Sequence, residues 1–301
     1  MTRSIPLGVA VLAATAPVSA HVPDVVTPDR FWSAWTFEPF VLLSLGTVIW
    51  LYARGVAGVW ARAGKARGVT PVNVLSFAGG IAALVVALVS PLDALGGTLL
   101  SAHMLQHGLL AGAAPPLLLM ARPGVAFAWG LKPVWHADPA TASLGRLVHG
   151  AARRLSAPVF ATALHAVLLW VWHAPALFDA AVAYDWVHVL QHLSFFLPAI
   201  FFWRALLDAE SPRRAAVAIV ASLLTFMHTG LLGGLLTMAR EPLYPSYLER
   251  PAVWGLTALE DQQLAGVLMW VPLGLPYLVA GVWLASRVLT PPAPPPRETV
   301  S

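Results

Sequence analysis

The sequence predicts an all-α, polytopic membrane bundle of seven transmembrane helices behind an N-terminal signal segment. Composition is the first reason: the 301 residues are 58% hydrophobic and 11% charged, whereas a soluble globule carries about 25% charged residues. The second is a mean hydropathy of +0.73. The third is that apolar windows long enough to cross a bilayer recur along the chain.

Taken in order, residues 1–20 have one early arginine, Arg3, an apolar stretch from Ile5 to Ala16 and the small-residue end Val18-Ser19-Ala20. That three-part build is the signature of an export signal, with His21 at the mature N-terminus after cleavage. A short external segment, 21–36, leads into the seven-helix domain, 37–287. Its expected spans are Phe37–Ala53, Val72–Ser90, Thr98–Met120, Pro158–Trp172, His188–Leu206, Ala215–Met238 and Gln262–Arg287. Residues 288–301 contain Pro291-Pro292-Ala293-Pro294-Pro295-Pro296 and cannot continue a helix. The Gly/Ala-rich stretches 111–114 and 230–234 suit close helix packing.

Charge supplies the orientation. With the mature N-terminus outside, the inner segments hold most of the Lys and Arg, among them Arg54, Arg62, Lys65, Arg67, Arg213 and Arg214, while the outer ones hold only Arg30, Arg240 and Arg250. This is the positive-inside pattern of a multi-pass protein of the bacterial inner membrane with a cytoplasmic tail. Acidic residues concentrate on the opposite, periplasmic side, where they attract cations. Tryptophans such as Trp32, Trp35, Trp172, Trp186, Trp254 and Trp270 fall near span ends, as an interfacial belt requires. The basic residues form no stripe, so the pI near 9.8 does not indicate nucleic acid.

The histidines are the least random feature. His103-Met-Leu-Gln-His107 and His188-Val-Leu-Gln-His192 each open an apolar span with two imidazoles four residues apart, on one helical face. His173 closes the intervening span at the same expected depth. His107 and His192 lie about 6 Å deeper than their partners. Polar side chains inside a span are costly and are functional candidates by default. Taken singly, each imidazole reads more readily as a hydrogen-bonded link between helices than as a ligand, with Gln106 and Gln191 as available partners; the two paired phrases with His173 from a third helix reverse that and point to a metal. The chain has no cysteine, which excludes disulfides and thiolate sites, and imidazole with Met104, Met227, Met238 and Met269 suits copper better than zinc. His21, His165 and His228 are further possible ligands, whereas His136 and His149 read as loop residues. Ahead of the last span, Glu260 and Asp261 are placed to cap its first turn or to orient ligands and guide the cation at the outer mouth, and the following Gln262-Gln263 pair to orient imidazoles from behind.

Other classes fit less well. A di-haem b-type electron carrier wants histidines on facing helices and a second set across the membrane, and here the inner half is bare. A transporter of a metal cation would use His165 and His228, but neither a broken helix pair nor a midplane acid is evident. Ser101 and Ser194 near histidines do not make a triad, and no enzyme constellation is present.

The phrases SAHMLQHGLLAGAAPPLLL, WVWHAPALFDAAV with WVHVLQHLSFF, PLYPSY and LEDQQLAGVLMWVP resemble the CtaG-type cytochrome c oxidase assembly factors, a seven-span bacterial family, from about Ser90 to Arg287. The resemblance implies an assembly role for a haem-copper oxidase subunit, with copper handled at the outer face and exchanged with a periplasmic copper carrier. It singles out His103, His107, His173, His188 and His192, with Asp179, Glu260, Asp261 and Gln262 nearby. Gly108 departs from the family pattern, which has a bulkier apolar residue there.

Overall fold

The computed structural model describes residues 25–131, 147, 150–152 and 154–290. The expected signal segment, His21, His136, His149 and the proline tail lie outside the described residues. Those residues form helices and loops with no strand among them. Five helical stretches, Pro39–Ala63, Pro71–Leu88, Asp185–Leu207, Pro212–Met238 and Ala258–Leu289, are long and apolar enough to span a membrane, or up to seven if each of two bent pairs counts as one span.

The helices are α1 (Pro39–Ala63), α2 (Pro71–Leu88), the short α3 (Pro91–Gly96), α4 (Leu100–Met120), α5 (Pro123–Gly130), α6 (Pro158–Trp172), α7 (Pro175–Ala183), α8 (Asp185–Leu207), α9 (Pro212–Met238), α10 (Ala258–Trp270) and α11 (Leu275–Leu289). Proline stands in the first turn of most of them, where its missing N–H costs nothing. Thr70 and Thr257 add capping boxes with Asn73 and Glu260.

The same residue breaks two spans. Pro123 turns α5 away from α4 by 66° and Pro175 turns α7 away from α6 by 76°, because the residue before a proline is pushed out of the helical region. No broken pair was expected from the sequence, so this is a correction. In α4, Pro115 and Pro116 deprive the carbonyls of Ala111 and Gly112 of their N–H partners, and Leu109–Ala113 widens into a π segment. Trp203 Nε1–H donates to the freed Ala111 carbonyl at 2.8 Å.

α4 is the central helix, packing on α2, α8 and α10; α6 and α7 pack on α8, and α9 packs on α6, α10 and α11. Small residues set the closest approach: a Cβ on Gly266 would lie 2.7 Å from the Thr237 backbone nitrogen. Large apolar side chains such as Leu75, Val159, Leu231 and Val279 face outward and are exposed, as a lipid-facing surface requires. Trp32, Trp35, Trp186 and Trp270 are exposed, but Trp172 is buried in the core and does not join an interfacial belt.

Candidate metal centre

Asp261 fixes the helix that carries the first histidine pair. Its buried carboxylate accepts from the backbone N–H of Leu100 at 2.6 Å and of Ser101 at 3.1 Å, and from the Ser101 hydroxyl at 2.5 Å. It therefore caps α4, not the helix on which it sits; only the exposed Glu260 caps α10 as expected. With α4 held, the four-residue spacing stacks His103 over His107, ring centroids 4.3 Å apart. His188 and His192 stack likewise on α8 at 4.0 Å. His173 closes α6 just before the 174–175 bend, and its ring is buried.

All five rings converge. His103 lies 5.2 Å from His188, and His107 lies 5.6 Å from His192 and 6.3 Å from His173, centroid to centroid. One ring nitrogen each from His103, His188 and His192 falls within 4.8 Å of the others. Phe178 of α7 and Phe195 of α8 wall the group, Phe178 at 4.8 Å from His103 and Phe195 at 4.5 Å from His107.

Two histidines are held by hydrogen bonds and three are not. Tyr247 O–H donates to the Gly96 carbonyl at 2.6 Å, and burial holds its phenol well above the ordinary pKa. Its oxygen therefore accepts from His103 Nδ1–H at 2.9 Å, which leaves the neutral ring's Nε2 unprotonated, 3.2 Å from Gln191 Oε1. His173 Nδ1–H donates to the Leu169 carbonyl at 2.6 Å. Both nitrogens of His107, and Nε2 of His188 and His192, are buried without a partner. Buried polar atoms are normally satisfied, so this concentration of free lone pairs is the decisive feature of the site.

Other expected roles change. Gln106 does not touch an imidazole; it donates to the Ala87 carbonyl and to Asp93, at 2.7 and 2.6 Å. Burial pushes the Asp93 carboxyl up to about 6. Gln262 is also no support for a ring: it accepts from Leu243 N–H at 2.6 Å and donates to the carbonyls of Leu236 and Glu241. Asp179 accepts from Ser246 N–H. These two pin the 239–247 segment, whose Tyr244 donates to the His173 carbonyl at 3.0 Å. His165 lies apart, against Phe202 and Tyr277, and His228 stands without a hydrogen-bond partner away from the five. Met227 and Met238 are exposed, while Met104 and Met269 are buried beside the cluster. The sequence reading missed Tyr247, Phe178 and Phe195; the PLYPSY phrase was the one signal for the tyrosines.

A model of the cytochrome c oxidase caa3 assembly factor family (Caa3_CtaG) matches residues 50–290. The chain belongs to this family. Among curated proteins, this caa3 assembly factor family member is 27% identical over 282 residues to an uncharacterized protein of Mycobacterium bovis and, equally, to one of Mycobacterium tuberculosis. Each alignment covers 89% of the chain and 41% of the relative, so the chain spans about two fifths of their length. No solved structure matches it.

Proposed function

We propose that this family member supports assembly of cytochrome c oxidase by holding copper as cargo at the histidine cluster and releasing it to the copper-containing oxidase subunit, with a periplasmic carrier as the source. The observation that carries the reading is the trio His103, His188 and His192, whose nitrogens lie within 4.8 Å of one another, two of them with buried, unpartnered Nε2 atoms. A cation accepting those lone pairs removes the cost of leaving them unmet. Imidazole without thiolate suits copper. The His103 tautomer set by Tyr247 leaves Nε2 unprotonated beside Gln191, the state a metal ligand needs. Asp261, Gln262 and Asp179 act on helices and loops rather than on the cation. Haem ligation is disfavoured by the rings' mutual contact, centroids 4.0–6.3 Å apart, which leaves no slot for a macrocycle.

The test is copper stoichiometry of the detergent-purified protein. Replacing His188 and His192 together by Ala should remove the ion held by the trio while the helical content is retained. Wild-type stoichiometry in that double variant would sink the reading, as would full oxidase metallation under copper limitation in cells lacking the protein.

A further inference from the structure

Below the trio lies a cavity of about 40 Å³, lined by Met104, His107, His173, Met269 and Leu273 among others. Space of this size admits a few water-sized particles. None of the lining residues is acidic, and two of them are buried methionines.

One contact in its wall has no hydrogen to hold it. His173 Nδ1–H is committed to the Leu169 carbonyl, which can only accept. In the neutral ring Nε2 therefore carries a lone pair, and it faces Met104 Sδ, another acceptor, at 3.4 Å. Nitrogen and sulfur lone pairs aimed at each other are the arrangement that a shared soft cation resolves. His107, with both nitrogens buried and free, is the adjacent imidazole, and Met269 lines the same space.

We infer that Met104, His173, His107 and Met269 form a second, deeper cation station, selective for a soft monovalent ion such as Cu(I) or Ag(I). Thioether sulfur selects soft ions. Charge selects as well: burying an ion without a carboxylate is costly, and the Born penalty grows with the square of the charge, so a monovalent ion is admitted and a divalent one excluded. His107 touches both groups, at 4.3 Å from His103 and 6.3 Å from His173 by ring centroid, and links the two stations. The choice of copper as the natural occupant rests on the function proposed above; the station itself rests on the facing lone pairs.

The test is X-ray absorption at the copper edge of the full chain loaded anaerobically with Cu(I), alongside Ag(I) titration. Because the chain has no cysteine, any sulfur scatterer is a methionine. The wild type should give mixed nitrogen and sulfur scattering. Met104→Leu with Met269→Leu, a volume-conserving pair expected to fold, should lose the sulfur signal and one equivalent of Ag(I) while keeping the nitrogen-bound ion. His188→Ala with His192→Ala should keep the sulfur signal. An all-nitrogen wild-type spectrum, or undiminished sulfur in the methionine double variant, overturns the deeper station. Full copper retention in the histidine double variant overturns the upper one alone.

Discussion

Replacing Asp261 by Ala separates the structural role of this carboxylate from that of its neighbour. The side chain is fully buried and accepts three hydrogen bonds at the start of α4. Removal leaves two backbone N–H groups unpaired in a buried helix terminus. Each such group costs about 1–3 kcal/mol, and the Ser101 hydroxyl loses its partner as well, so the expected loss is about 2–5 kcal/mol. At about 2–4 °C per kcal/mol for a chain of this order, the midpoint of thermal unfolding in detergent should fall by roughly 5–15 °C. Glu260→Ala removes an exposed capping box on α10 and should cost only about 0.5–1 kcal/mol. Differential scanning fluorimetry on both purified variants, with size exclusion to check monodispersity, is sufficient. Equal shifts for the two substitutions, or none for Asp261→Ala, would refute the assignment of Asp261 to α4.

Three further outcomes follow from charge, packing and titration. Reporter fusions should place residues after Arg287 in the cytoplasm and the histidine-bearing end in the periplasm, from the Lys/Arg asymmetry; strong periplasmic reporter activity beyond Pro291 would reverse the orientation. Gly266→Ala should cost about 1–3 kcal/mol, because the added methyl meets not only the Thr237 hydroxyl but also the α9 backbone at Gly233 and Thr237, which cannot move aside; an unchanged melting point would contradict the close crossing. Asp93, pushed from 3.8 up to about 6 chiefly by burial, binds its proton more tightly in the folded protein than in the unfolded one. Its share of stability is therefore full below about pH 4 and declines by about 2–3 kcal/mol as pH rises through 6. Asp93→Asn should flatten that window, and a decline of the same size in the variant would assign it to another group.

The helical class, the multi-span character and the pairing of histidines on one face were legible because they depend on local rules: hydropathy marks apolar helices, and a four-residue spacing puts two imidazoles on one face whatever surrounds them. What surrounds them was not legible. Gln106 and Gln191 occupy the same place in two nearly identical phrases, yet Gln191 faces His103 while Gln106 turns to the Ala87 carbonyl and Asp93. The difference comes from α3, which packs against α4 and whose Asp93 meets Gln106. Asp261 was read as a cap for its own helix, since a first-turn acid ordinarily serves there; its true partner lies 161 positions away. Four methionines looked equivalent in sequence, but burial separates Met104 and Met269 from Met227 and Met238.

These departures share one physical logic. Nearly every polar side chain around the cluster is spent on backbone: Asp261 on the start of α4, Gln262 and Asp179 on the 239–247 segment, Tyr244 on the end of α6 and Tyr247 on Gly96. Backbone hydrogen bonds hold the helix ends in register without consuming the nitrogens of His107, His188 and His192. A scaffold that saturated those rings would be more stable and would have no free lone pairs. On the function proposed above, rings left free on a pinned frame would bind a cation without first breaking a hydrogen bond and give it up without remaking one. Anchoring His103 through Tyr247 and His173 through Leu169 fixes which nitrogen of each ring is available, so the frame sets the geometry while leaving the occupancy reversible.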